Sequence, residues 1–176
     1  MLRSTISSIA RPILHSENMA TRSSPQSSHT DFLCEHRLRV RWAEVDMQKV
    51  VFNAHYLTYI DTAIAEYWRE VGLAYPEGYV DRYGTDLYLR KATVDYLGPA
   101  RYDDRLAVLC RVANLGRSSI TMRFEIWRDD AARESPLVTA DLVYVNVNVA
   151  SMTPEALPED LRERVRDYEL TPPVEG

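Results

Sequence analysis

Two carboxylates, Glu44 and Asp46, stand two residues apart in the stretch Arg41-Trp42-Ala43-Glu44-Val45-Asp46-Met47-Gln48-Lys49-Val50-Val51-Phe52-Asn53-Ala54-His55-Tyr56, just ahead of a helical pattern. An aspartate in such a place is commonly a turn or capping residue, but carboxylates are also the groups best supplied for chemistry in this chain. Cys34 and Cys110 are the only cysteines and form no CxxC pattern, which excludes a disulfide framework, a zinc knuckle and a thioredoxin-like motif. His15 and His29 fall in a Ser-rich leader, leaving His36 and His55, too few for a histidine-based metal site. His55 has no Ser or Cys nucleophile in a matching motif and reads as an ordinary helix histidine. No Gly-rich phosphate loop is present.

The elements that must position these residues follow from periodicity. Glu35 to Trp42 alternates, with Leu38, Val40 and Trp42 on one face and Arg37, Arg39 and Arg41 on the other, as in a half-buried strand. Its arginine face reads as solvated or edge-protecting, with a phosphate site as the alternative. Tyr56, Tyr59, Ile60, Ala63, Tyr67 and Val71 recur at helical spacing over about four to five turns. Asn53 suits the cap of this helix and Gly72 its end. On its polar side Asp61 and Glu66 read as solvated. Leu73 to Gly84 predicts an irregular connection, long enough to cover a pocket.

Strands are then predicted over 86–97 and 105–113, around Ile120 to Trp127 and around Leu142 to Val149. Pro158 to Tyr168 reads as a short charged surface helix, and Thr171-Pro172-Pro173 as loose. One long helix must cover one face of a five-stranded antiparallel sheet, an α+β architecture. The exposed edges of such a sheet invite dimerisation.

The chain has 176 residues and a net charge of −5, which fits one domain plus an appendage. Residues 1–30 carry +2, so residues 31–176 carry −7. This acidic body offers no basic surface for nucleic acid, and no apolar run is long enough for a membrane span. The Ser-rich leader over 1–30 should be disordered. It reads either as an organelle transit peptide or as an overextended start with Met19 as initiator. The domain of interest is expected over 31–152, with a C-terminal helix and tail over 153–176.

The Arg41 to Tyr56 stretch resembles the signature of hotdog-fold thioesterases of the 4-hydroxybenzoyl-CoA thioesterase type, in which a D/E-x-D pair precedes a Gly-x-Val segment and an aromatic-rich helix start. Tyr96 to Asp104 and Leu115 to Ser119 are similar to later segments of that family, so the resemblance spans residues 36 to about 150. It implies a hotdog fold with strand order 1-3-4-5-2 wrapped around the long helix. It also implies hydrolysis of an acyl-CoA thioester to a free acid and CoA, with Asp46 as general base or nucleophile. The backbone amide of Asn53 or its neighbour would polarise the carbonyl, and Tyr56 would line the acyl pocket or serve the core.

A thiolate leaving group needs little help from a general acid, so one carboxylate suffices. Coenzyme A is then part of substrate and product, and no separate cofactor or metal is expected. Its phosphates require local positive charge, for which Arg117 with Ser118 and Ser119 is the first candidate and Arg90 with Lys91 the second. Lys49 stands where the family usually has glycine, restricting the backbone and adding a charge. Hydrolysis of acyl-carrier-protein thioesters, recognised by a basic patch, and a non-catalytic acyl-CoA-binding module are the alternatives. The resemblance further implies a homodimer or a dimer-of-dimers tetramer. A cytoplasmic protein is expected, or an organellar one if the leader is a transit peptide.

Overall fold

The computed structural model describes residues 29–130 and 135–176. All but the last two residues of the expected leader lie outside the described residues. The sheet runs in the order β1-β3-β4-β5-β2, built from β1 (Cys34–Arg39), β2 (Thr85–Tyr96), β3 (Arg105–Leu115), β4 (Ser119–Arg128) and β5 (Val138–Asn148). These five strands pair antiparallel. A two-residue strand, β6 (Val174–Glu175), adds in parallel to β3, so the sheet has six strands rather than the expected five.

Helix α1 (Asn53–Glu70) packs against β1 and β3. Its 3.6-residue period puts Tyr56, Tyr59, Ile60, Ala63, Tyr67 and Trp68 in the core. The period of two in the strands brings Leu106, Val108, Cys110 and Val112 of β3 and Ile120, Met122, Phe124 and Ile126 of β4 into the same core. Burying each large side chain contributes about 1.5–3 kcal/mol. The helix ends where expected, with Gly72 at a φ of 79° just after the last turn.

Three readings of the sequence need correction. β1 stops at Arg39, and the chain winds into a 3-10 turn at Trp42–Glu44. Trp42 is therefore 75% exposed instead of sharing the buried face of Val40. The connection over 73–84 is packed and partly helical rather than irregular, while its Tyr75 does line a cavity, as a cover would. Tyr79 is fully buried against Trp68 and stacks on Tyr75 at 5.1 Å, and the short helix α2 (Val80–Tyr83) closes it. The C-terminal segment is also fixed. α3 (Glu159–Tyr168) buries Leu161 and Val165, and Thr171 accepts a 2.8 Å hydrogen bond from the Arg111 guanidinium.

Candidate active site

Asp46 opens a tight reversal between Val45 and Val51, which form an isolated antiparallel bridge. Its N–H donates to the Val50 carbonyl and its carbonyl accepts from Lys49, both at 2.9 Å. Oδ1 of Asp46 accepts the Gln48 N–H at 2.7 Å, the self-closing turn that favours aspartate at this position. A three-residue reversal of this kind ends on a left-handed residue. Lys49 supplies it, at a φ of 63°. The lysine therefore keeps the backbone path that glycine takes in the family this chain resembles.

The other side of the site is the start of α1. Asn53 is not the cap: Phe52 takes that position, with no side-chain capping bond. The Phe52 N–H donates to the Glu44 carbonyl, and the His55 N–H to the Phe52 carbonyl, both at 2.9 Å. Between them the amides of Asn53 and Ala54 meet no acceptor among the described residues. These are orphan donors of the first turn, reinforced by the positive end of an 18-residue helix.

Asp46 and Asn53 line one open cleft of about 760 Å3 together with Met47, Phe52, Tyr56, Tyr96 and Pro99. Tyr56 is buried, and its hydroxyl oxygen accepts the Ala100 N–H at 3.0 Å. Burial pushes this phenol up from its ordinary pKa, so it stays protonated. Its ring meets Tyr96 edge-on at 5.6 Å. Tyr56 thus lines the cleft and serves the core at once.

Glu44 is a supporting acid. One of its oxygens accepts from the Tyr59 hydroxyl at 2.8 Å and from the Arg41 N–H at 2.7 Å, tying the Asp46 loop to α1. Tyr96 is a residue the sequence reading missed. Its hydroxyl donates to the Asn53 carbonyl at 3.1 Å, fixing the helix start against β2. The aromatic just before Leu97-Gly98-Pro99 was the available signal.

The expected CoA-binding residues are not gathered at this cleft. Arg117, Ser118 and Ser119 form the β3–β4 turn, at the far end of an 11-residue strand and so roughly 30 Å from the Asp46 loop. There the Arg117 carbonyl accepts the Leu157 N–H at 2.9 Å. Arg90 and Lys91 sit mid-strand in β2, at a bulge between Leu89 and Lys91. Within one chain neither group shares a cavity with Asp46. Asp61 lines a separate, smaller cavity of about 240 Å3 with Ile64, Trp68, Leu87, Met122 and Tyr144. Among the described residues no group of His, Cys, Asp and Glu is arranged to hold a metal, and no helix is long and apolar enough to cross a membrane.

The family model "Thioesterase superfamily" matches residues 48–134. The acyl-CoA thioester hydrolase YbgC of Escherichia coli is 27% identical over 124 residues, covering 70% of this chain and 89% of the relative. A solved structure of a 1,4-dihydroxy-2-naphthoyl-CoA thioesterase from Synechocystis superposes with a TM-score of 0.67 at 21% identity, covering 76% of this chain and 96% of that one. A Staphylococcus aureus protein solved in complex with CoA gives a TM-score of 0.68 at 15% identity, over 77% of this chain and 82% of that one. With the Asp46 reversal and the open helix start on one cleft, the chain is a hotdog-fold thioester hydrolase that is similar to the thioesterase superfamily over residues 48–134.

Proposed function

We propose that this protein hydrolyses acyl-CoA thioesters in the cleft between the Asp46 reversal and the start of α1. The observation that carries this reading is the shared cleft itself, whose lining includes both Asp46 and Asn53, the residue whose amide opens the helix without an acceptor among the described residues. Oδ1 of Asp46 is held by the Gln48 N–H, which fixes the carboxylate plane and leaves Oδ2 for the reaction. That oxygen either takes a proton from water or attacks the carbonyl to give a mixed anhydride that water then opens. The amides of Asn53 and Ala54 receive the oxyanion as the carbonyl becomes tetrahedral. The thiolate of CoA, with a conjugate-acid pKa of about 8.5, leaves without a dedicated acid.

The cleft is open on the β2 side, where Tyr96 and Leu97 are 49% and 61% exposed. β2 is also a free sheet edge, with exposed Tyr88 and Leu89. A second copy pairing at this edge would cover that surface and complete the wall of the acyl pocket.

The test is thiol release by the purified chain from short, long and aromatic acyl-CoAs. Turnover of at least one class is expected. Binding of acyl-CoA with no thiol release from any class would overturn the reading.

A further inference from the structure

A third cavity, of about 700 Å3, is lined by the end of β1 and its continuation to Trp42, and shares no lining residue with the Asp46 cleft. It is lined by Arg37, Arg39, Arg41, Trp42, Tyr102 and Asp103, among others, three guanidinium groups against one carboxylate. Asp103 is matched by Arg39 at 2.6 Å, and Arg37 pairs with Glu35. Arg41 has no ion pair among the described residues and is exposed. Beside it stand two large rings left to solvent, Trp42 at 75% and Tyr102 at 53% exposure, in an edge-to-face pair at 5.3 Å. An unmatched cation next to an exposed aromatic pair suits a ligand that carries both phosphate and a flat ring.

We propose that this cavity binds the nucleotide end of the acyl-CoA substrate, with Arg41 on the phosphates and Trp42 and Tyr102 against the adenine. The inference rests on the thioesterase reading above and assigns the substrate's handle to the Arg41 end of the molecule. The Glu44 N–H donates to the Arg41 carbonyl, a turn that keeps these two Cα atoms within about 7 Å, and Asp46 lies two residues further on, so the Arg41 and Asp46 Cα atoms are at most about 14 Å apart. The pantetheine arm has about as many backbone bonds as four to five residues of extended chain, a reach of about 15 Å. A thioester at Asp46 can therefore place its phosphates at Arg41. In a body of net charge −7 this local excess of positive charge meets a requirement that the average opposes.

The experiment uses the full chain and two readouts. Adenosine 3′,5′-bisphosphate is titrated while tryptophan emission is followed. Of the three tryptophans, Trp68 and Trp127 are buried, so a saturable quench reports Trp42. In parallel, kcat/KM is measured for an acyl-CoA and for the corresponding acyl-pantetheine, which lacks the nucleotide. The expected results are quenching by the bisphosphate, a preference for acyl-CoA of about tenfold or more, and collapse of both in Arg41→Ala with partial recovery in Arg41→Lys. Arg69→Ala, on the distant end of α1, serves as the control and should keep the preference.

Equal kcat/KM for the two thioesters in the wild type, with no quench, would overturn the nucleotide site while leaving the thioesterase reading intact. Quenching that Arg41→Ala abolishes, in a protein that hydrolyses neither thioester, would support the nucleotide site and overturn the thioesterase reading. A preference for acyl-CoA that survives Arg41→Ala would also overturn the proposal.

Discussion

Lys49 holds a left-handed backbone conformation at a φ of 63°, which costs an L-residue roughly 1–2 kcal/mol. Glycine removes that cost but gives up some unfolded-state restriction, so Lys49→Gly should stabilise the protein by about 1 kcal/mol or less. Thermal melts should show Tm rising by up to about 4 °C, and a lower Tm would contradict the strain assigned to this residue. At this scale the sequence was most legible where one side chain serves one turn. The place of Asp46 in a turn was readable because the reversal depends on its own carboxylate and its immediate neighbours. Tyr96 and Tyr59 were not, since the groups they hold, Asn53 and Glu44, are 43 and 15 residues away in the chain. Periodicity reports which face is buried and says nothing about where a buried hydroxyl points.

Among the elements, the C-terminal segment departs most from its sequence reading, and the reason is long-range. β1 pairs with β3 only as far as Cys34 opposite Cys110, leaving the rest of that edge open. The chain end fills it: Glu169 accepts from the Val112 N–H at 2.6 Å and from the Tyr67 hydroxyl at 2.7 Å, and β6 continues the edge. A charge-rich pattern with only Leu161 and Val165 facing inward hides this docking.

Burial raises the pKa of Glu169 above the ordinary glutamate value, and its contacts with Tyr67, Val112 and Arg111 oppose that rise only in part. The native state therefore holds this proton more tightly than the unfolded chain. Its contribution to stability is fully present below the unfolded glutamate pKa and is lost as pH rises through the raised native value. Glu169→Gln keeps an oxygen for both donors and removes the titration. The stability of wild type relative to Glu169→Gln should thus fall as pH is raised from about 4.5, measured by denaturant melts. A difference that is flat or rising with pH would contradict this account.

For the molecule as a whole, a single helix against one sheet followed from the order of elements alone, and the strand order came with the family resemblance. What the sequence could not show was which ends of the strands meet. Arg117 and Asp46 belong to opposite ends of β3, and only the register of β1 against β3 separates them. The Trp42–Glu44 turn sets Arg41 beside the loop that carries Asp46, a neighbour whose arginine face read as a solvated or edge-protecting strand surface with a phosphate site as the alternative. The proposed chemistry rests on the cleft lined by that loop and the start of α1, and on one carboxylate in it. The most direct measurement is kcat for acyl-CoA hydrolysis by Asp46→Asn, with substrate binding and Tm followed in the same preparation. Asparagine preserves the acceptor for the Gln48 N–H, so the variant should fold and bind, while kcat falls by about 100-fold or more. A folded, substrate-binding Asp46→Asn protein with wild-type kcat would contradict the central claim.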